Sequence, residues 1–329
     1  MACIKFLTLN NGVKMPVLGI GTWQSSDAEI EIAIEAALEA GYRHIDTAPV
    51  YRNEAAIGRV LKRWLDAGKV QREDLFIVTK LASFANRPHE VEPAIKKSLA
   101  DLQLDYVDLF LIHTPFTFVK GDDGSVKRDK NGIVEVDVTT NHAATWVEME
   151  KLVEAGLTRS IGISNFSKEQ VARLLKHCNI PPATNQIEHH VYLQQRDLVD
   201  FCKAENVVII AYSPLGSRGI AKINALVGVQ RDLPDLFDIP ELKKIAKAHG
   251  KTPAQVLLRW IIDTGLTAIP KSAEPKRLKE NLDIFDFELS TEEINTLLAL
   301  DKNIRICDFS IFQGLEKHPE FTFKNQYTK

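Results

Sequence analysis

Asp46 ends a short apolar run in "RHIDTAPVYRNEAAIG", and Tyr51 follows it five residues later, just ahead of a helix-patterned segment. Two further runs close on a polar residue in the same way, "LFIVTK" on Lys80 and "YVDLFLIH" on His113. A phenol has a reference pKa near 10 and gives up its proton poorly at neutral pH, but a cation within about 4–6 Å favours the phenolate and draws that value down. Lys80 can supply the charge, and Asp46 can hold Lys80 in place while offsetting the cost of a buried ammonium. A neutral His113 can donate a hydrogen bond to a substrate oxygen and orient it. Gathered in one place, the four would protonate an oxygen as negative charge develops on it, which is half of a carbonyl reduction. Taken singly, an acid and a base at strand ends read as a structural ion pair, and a lone histidine as a hydrogen-bonded core residue; their weight comes from convergence.

Convergence depends on the elements that carry them. Short apolar runs recur along the chain as "VLGIG", "YRHID", "LFIVTK", "YVDLFLIH", "TRSIGISN", "ATNQIE", "VVIIAY" and "LTAIP", eight candidate strands. Between them lie segments with helical period and surface charge, such as 27–41, opening on a capping Asp27 and closing on Gly41, and 90–104. Strand followed by helix, eight times, is the grammar of a (β/α)8 TIM barrel, and one barrel domain over residues 1–329 fits the length. Ahead of it, "FLTLNNGVKM" turns at Asn11-Gly12 and reads as a β-hairpin cap. A doubly wound sheet uses the same units, but "GIGTWQ" completes no GxGxxG and no P-loop occurs. In a barrel the strand ends meet at one mouth, so Asp46, Lys80, His113, Asn165, Gln186 and Tyr212 become neighbours. The long irregular stretches 113–137 and 213–237 follow the fourth and seventh strands and read as pocket walls, and the tail after Asp301 is irregular too.

Composition narrows the partners. A net charge of -3 gives no electrostatic support for nucleic acid or an anionic membrane, so a small molecule is the default ligand. Cys3, Cys178, Cys202 and Cys307 lie far apart and form no CxxC pair, the pattern of free thiols in a reducing compartment. The N-terminus carries lysines within its apolar stretch, and no run approaches the roughly 18 apolar residues of a membrane helix, so the expectation is a cytoplasmic protein. Without a secretory signal the Asn165-Phe166-Ser167 sequon carries no weight. Glu188, His189 and His190 are adjacent, but neighbouring side chains on a strand point to opposite faces, so no metal is expected. "GISNF" is not a GxSxG elbow and no Tyr-x-x-x-Lys pair occurs, which disfavours a serine hydrolase and a short-chain dehydrogenase.

The motifs "GYRHIDTA", "TKL", "LIHTP", "GISNF", "NQIE", "AYSPLGS" and "IPKSAEPKRLKEN" follow one another in an order that resembles the aldo-keto reductase superfamily, in particular its aldose-reductase-like branch, from about residue 5 to about residue 305. The resemblance implies a (β/α)8 barrel that moves hydride from a reduced nicotinamide to an aldehyde or ketone, with Asp46, Tyr51, Lys80 and His113 as catalytic tetrad and Tyr51 as proton donor. It implies that Ser164, Asn165 and Gln186 hold the nicotinamide carboxamide, that Tyr212 stacks under the ring, and that Gly21, Thr22, Trp23, Asp46, Ser213, Leu215 and Ser217 line the dinucleotide groove. Lys271, Ser272 and Arg277 match the site for an adenosine 2′-phosphate, with Glu280 and Asn281 near the adenine. A lysine point charge and an arginine favour a dianion that NADH lacks, so NADPH is the expected cofactor. Glu274 replaces a small hydroxyl or polar residue there; an acid at that point repels the phosphate or accepts from a free ribose hydroxyl, which implies some NADH use.

The pocket departs from that branch at Ala82 and Thr114, where it has tryptophans. Trp23 remains, and Phe116 and Phe118 are expected to rebuild part of the wall, beside Tyr51, His113 and Cys307. The loss of two large aromatic side chains opens space for bulky ketones or apolar aldehydes rather than sugars. Insect enzymes of this family that reduce a 3-keto ecdysteroid are one similar group. The tail phenylalanines Phe309, Phe312, Phe321 and Phe323 fit a pocket wall or plain core. The resemblance implies a monomer. Two other readings stand beside the reductase: a cofactor-binding regulatory or structural protein on the same barrel, and a metal-assisted barrel hydrolase.

Overall fold

The turn at Asn11-Gly12 forms as expected: β1 (Phe6–Thr8) and β2 (Lys14–Pro16) pair antiparallel with Leu7 opposite Met15. Gly12 adopts a φ of 84°, which an L side chain disfavours. The computed structural model describes residues 5–122, 124–226, 228–229 and 231–323; Cys3 and the last residues of the tail lie outside them. Leu9 and Met15 of the hairpin cluster with Phe76, Val78, Leu109, Leu111, Ile210 and Ile269. Asn10 donates to the Pro182 carbonyl, and Asn11 to the Arg159 carbonyl and the Ser160 hydroxyl, which seats the hairpin over one end of the barrel.

The barrel elements follow in chain order: β3 (Ile20–Gly21), α1 (Asp27–Ala40), β4 (His44–Asp46), α2 (Glu54–Asp66), β5 (Phe76–Leu81), α3 (Pro88–Leu102), β6 (Val107–Ile112) and α4 (His142–Glu154). Next come β7 (Thr158–Ser164), α5 (Lys168–Leu175), β8 (Thr184–Glu188), α6 (Arg196–Ala204), β9 (Val208–Tyr212), α7 (Ile220–Leu226), α8 (Pro240–His249), α9 (Pro253–Asp263), β10 (Thr267–Ala268), α10 (Pro275–Leu282) and α11 (Thr291–Leu298). Strands β3 to β10 form one parallel sheet in sequence order. Bridges Leu18 to Ala268 and Gly21 to Lys271 join its two edges and close it into a (β/α)8 barrel. All eight runs read from the sequence are its strands. They are almost entirely buried and mostly apolar because both faces are covered, by barrel interior on one side and helices on the other.

The helix limits differ in detail. Ser26, not Asp27, caps α1: its hydroxyl accepts from the Glu29 amide and the Glu29 carboxylate accepts from the Ser26 amide, a reciprocal capping box. Gly41 ends α1 at a φ of 110°, as expected. α3 covers Pro88–Leu102 instead of 90–104, because Pro88 suits a first helical position and Gln103 turns left-handed with φ 56°. The 113–137 stretch is less irregular than its composition suggests: antiparallel bridges join Phe118 to Val136, Lys120 to Val126 and Arg128 to Val134. None of the helices among the described residues is long and apolar enough to cross a membrane.

Helices α2 and α3 approach closely at Gly58, where a Cβ would fall on the Asp101 carbonyl and crowd the Leu102 backbone. A glycine-to-alanine change within a helix normally gains about 1 kcal/mol. Here we expect the opposite sign: Gly58→Ala should lower the unfolding free energy by about 1–3 kcal/mol, the range for overpacking. Equilibrium denaturation in urea checks this, and a stabilised variant would show that the helices separate freely.

Candidate active site

Three strands deliver the proton-handling groups. Asp46 is the last residue of β4, Lys80 sits near the end of β5, and His113 follows β6 directly. Tyr51 comes from a single turn of 3-10 helix, Pro49–Tyr51, in the loop after β4. The Lys80 side chain is completely buried, and its ammonium donates to Asp46 Oδ1 at 2.6 Å, to the Thr47 carbonyl at 3.0 Å and to Tyr51 Oη at 3.4 Å. An ammonium has three donors, and here all three are used. The other Asp46 oxygen accepts from Gln186 Nε2 at 2.7 Å, and the Asp46 carbonyl accepts from Thr22 Oγ1. The Tyr51 and His113 rings meet edge to face, 5.9 Å between centroids.

Electrostatics follow from burial and from these contacts. Burial lowers the His113 pKa well below the ordinary value and the Lys80 charge lowers it further, so the imidazole is neutral. Burial also works against the charge on Lys80, but Asp46 and Tyr51 outweigh it and hold the ammonium protonated above its usual range. Tyr51 departs from expectation. Lys80 does pull its pKa down, yet burial pushes it up by more, and the net shift is upward. The phenol thus rests fully protonated, and the pull of Lys80 acts on phenolate character only as it forms.

These groups open onto a cavity of about 1480 Å³. It runs from Tyr51 and His113 past Ser164, Asn165, Gln186 and Tyr212 and along Ser213, Leu215 and Ser217 to Lys271, Ser272, Arg277, Glu280 and Asn281. Gly21, Thr22, Trp23, Thr114, Phe118 and Cys307 line it as well. Asn165 is left-handed with φ 65°, which turns its carboxamide to the mouth; there it donates to the His113 carbonyl and accepts from Tyr212 Oη at 2.8 Å. Cys307 is a free thiol 3.5 Å from Ser213 Oγ, and burial raises its pKa to about 12. At the exposed end, Arg277 Nε lies 2.7 Å from Glu274 Oε2, and Lys271 donates to the Gln24 carbonyl.

Three expected residues do not line the cavity. Lys80 lies behind Asp46 and Tyr51 and acts through them. Ala82 is buried, and Phe116 is locked among Phe118, Phe309 and Phe321, with ring centroids 5.1–5.6 Å away, so it supports the wall from behind. The wall itself includes Phe84, Phe309 and Phe312, of which Phe84 was not anticipated. It lies four residues past Lys80, in a loop that leaves a barrel strand at the mouth, and that position was the available signal. Glu188 and His190 do meet, at 3.0 Å, whereas His189 stacks on Trp260 with centroids 5.5 Å apart.

The arrangement suits a dinucleotide. Carboxamide and hydroxyl groups stand beside the Tyr51 phenol, an aromatic face lies next to them, and cations wait at the far end. Between these points Gln24 and Asn224 line the cavity, and their amide nitrogens are buried donors without a protein partner. Buried donors of this kind call for an acceptor. Residues 17–302 match the model of the Aldo/keto reductase family. The chain belongs to the aldo/keto reductase family. It is 44% identical over 326 residues to aldo-keto reductase family 1 member A1 of Rattus norvegicus, covering 97% of this chain and 98% of that one. Member C1 of family 1 from Macaca fuscata fuscata is 41% identical, covering 99% and 98%. The aldose reductase of Schistosoma japonicum superimposes with a TM-score of 0.89 at 41% identity, covering 98% and 100%. Aldo/keto reductases are oxidoreductases that act on carbonyl groups with a nicotinamide dinucleotide, and this chain keeps the architecture of the family over nearly its full length.

With the His113 pKa lowered and those of Tyr51 and Lys80 raised, none of these three groups changes protonation near pH 6.5. The rate of carbonyl reduction should therefore hold level between about pH 6 and about pH 8 and decline only on the alkaline side, as the Tyr51–Lys80 pair loses a proton. A pH profile of kcat/KM checks this; an acid limb near 6.5 would mean that His113 titrates as a solvated imidazole.

Proposed function

We propose that the protein is an NADPH-dependent carbonyl reductase in which Tyr51 is the proton donor. The observation that carries this reading is the hydrogen-bonded line from Asp46 through Lys80 to Tyr51, opening at its phenol end onto a cavity that continues to Lys271 and Arg277. The reduced nicotinamide supplies hydride when bound. Ser164, Asn165 and Gln186 would hold its carboxamide and Tyr212 its ring face, while Gly21 allows β3 to close against the segment after β10, since a Cβ there would lie 2.9 Å from the Ile269 carbonyl. His113 donates a hydrogen bond that orients the carbonyl, Tyr51 gives its proton to the oxygen, and Lys80 stabilises the phenolate as it forms.

Lys271, Ser272 and Arg277 support NADPH, with Glu280 and Asn281 beside the adenine. Glu274 moderates the preference, because it already engages Arg277 in an ion pair. Both side chains are exposed, and pairs of that kind contribute little, about 0–1 kcal/mol, so a phosphate dianion can displace the carboxylate while NADH remains usable. The walls around Tyr51 and His113, made by Trp23, Val50, Phe84, Phe118, Phe309 and Phe312, are apolar. With Thr114 small beside them, they favour bulky ketones and apolar aldehydes, steroid-like ketones included, over sugars. Cys178, Cys202 and Cys307 unpaired, and exposed large apolar residues scattered singly at Phe6, Ile32, Val138 and Val147, support a cytoplasmic monomer.

Loss of nicotinamide absorbance, followed with NADPH and with NADH over a panel from propanal to steroid-like ketones, tests the reading. Turnover with NADPH on the bulky carbonyls is expected; tight NADPH binding without turnover on any of them would favour a regulatory or structural role. Tyr51→Phe should abolish reduction and leave the NADPH dissociation constant within about twofold, because the phenol proton matters only in the reaction. Glu274→Thr should raise the ratio of kcat/KM with NADPH to that with NADH by about three- to tenfold, a competing carboxylate having been removed. An unchanged ratio would show that Glu274 does not touch the choice of nucleotide.

A further inference from the structure

Four residues of the tail, Arg305 to Asp308, are held by polar contacts from two sides. On one side the segment is held by the barrel. Glu188, the last residue of β8 and fully buried, accepts from the Ile306 amide at 2.6 Å and the Cys307 amide at 2.9 Å. On the other side it is held by the 213–237 stretch: Arg231 donates to the Ile306 carbonyl at 2.7 Å and the Arg305 carbonyl at 2.6 Å, and lies 3.2 Å from Asp308. Both members of that ion pair are nearly buried, with side-chain exposures of 9% and 3%. The reaction chemistry has no use for Arg231, which does not line the cavity.

The segment so clamped touches both halves of the site. Toward the nucleotide groove, Cys307 Sγ meets Ser213 Oγ. Gly216 faces it too: a Cβ there would lie 2.9 Å from Leu236 and 3.7 Å from Ile306, so the serine turn, Leu236 and the tail pack as one unit. Toward the carbonyl pocket, Cys307, Asp308 and Phe309 are themselves wall. Buried hydrogen bonds to backbone on both edges of a segment leave it little freedom to move alone.

We propose that Arg231 is a positioning residue that makes Arg305–Asp308 a wall common to the nucleotide groove and the carbonyl pocket, so that a nucleotide under Ser213–Ser217 and a bulky substrate against Cys307 and Phe309 strengthen each other's binding. This rests on the carbonyl-reductase reading above for the identity of the two ligands. Small carbonyls that reach Tyr51 without pressing on the tail gain nothing from the clamp. Coupling of this kind is reciprocal, so it is measurable from either ligand.

The test uses the full chain with biphenyl-4-carbaldehyde as bulky substrate, propanal as small one, and biphenyl-4-methanol as the bulky ligand that cannot react with NADPH. In the wild type, saturating biphenyl-4-methanol should tighten NADPH at least about fivefold in a fluorescence titration. Arg231→Met should reduce that factor to about one and raise KM for the bulky aldehyde about tenfold, while kcat and KM for propanal stay within about twofold. Arg231→Lys keeps the charge opposite Asp308 but reaches only one carbonyl, so it should fall between, and it carries the test if the Met variant does not fold. Absence of coupling in the wild type, a factor unchanged in either variant, or an equal rise in KM for both aldehydes would overturn the proposal. The titration needs no turnover, so a protein that reduces neither aldehyde refutes the reductase reading separately.

Discussion

An ammonium with no water around it must be neutralised and given acceptors by whatever the fold brings within reach, since the penalty for burying an unpaired ion is several kcal/mol or more. At Lys80 the partners come from the neighbouring strand and its loop, and that requirement reaches down through the barrel. β4 and β5 pair with Ile45 opposite Ile77 and Asp46 opposite Val78, and the Thr47 amide continues the ladder to the Val78 carbonyl. Along β5 the side chains alternate: Val78 joins the interior cluster, Thr79 turns outward to bond Glu54 on α2, and Lys80 shares the inner face with Val78. A slip of one residue would exchange Thr79 and Lys80 between faces, leaving Asp46 without its cation and breaking the Thr79–Glu54 hydrogen bond. The apolar interior and the ion pair therefore enforce the same register.

From Asp46 the polar contacts spread around the mouth. Thr22 after β3 binds the Asp46 carbonyl, Gln186 on β8 binds its carboxylate, and Ser164 at the end of β7 donates to the Gln186 carbonyl. Asn165 then joins the loop after β6, through the His113 carbonyl, to Tyr212 at the end of β9. Seven of the eight barrel strands are thus linked at their C-terminal ends by side chains. Groups held in this way need little rearrangement when charge develops in the site, and that preorganisation is what makes electrostatic stabilisation effective.

Strand and loop differed in how far they could be read from residues alone. Most strands were legible because burial on both faces leaves short, largely apolar runs, as in β5 and β6, and the first polar residue at the end of such a run marked the mouth. Asp46, His113, Gln186 and Tyr212 were found by that rule. The balance at Tyr51 was not legible: whether burial or Lys80 prevails depends on depth and on a 3.4 Å separation, and neither is a property of sequence. Phe116 shows the same limit, since an aromatic residue after a strand can face the cavity or stand one layer behind it, and only the packing against Phe309 and Phe321 decides. The cap of α1 was a local matter. Ser26 and Asp27 can both cap, and the glutamate three residues after Ser26 selects it.

Backbone strain gives an independent view of where the fold has been shaped for a ligand. Among the described residues ten that are not glycine have positive φ, and six of them, Gln24, Arg52, Asn165, Ser213, Ser217 and Phe309, line the cavity onto which Asp46, Tyr51 and His113 open. Gln103 and Asn206, by contrast, follow the last turns of α3 and α6, where a left-handed residue is an ordinary way to stop. A left-handed residue with a side chain costs roughly 1–2 kcal/mol, and for Ser213, Ser217 and Phe309 no helix end explains the cost. All three line the cavity, and Ser213 Oγ meets Cys307 Sγ. Three of the six strained residues that line the cavity thus fall on the two segments, 213–217 and 305–309, that meet at Cys307, and strain gathered on one wall fits a wall built to a ligand's shape.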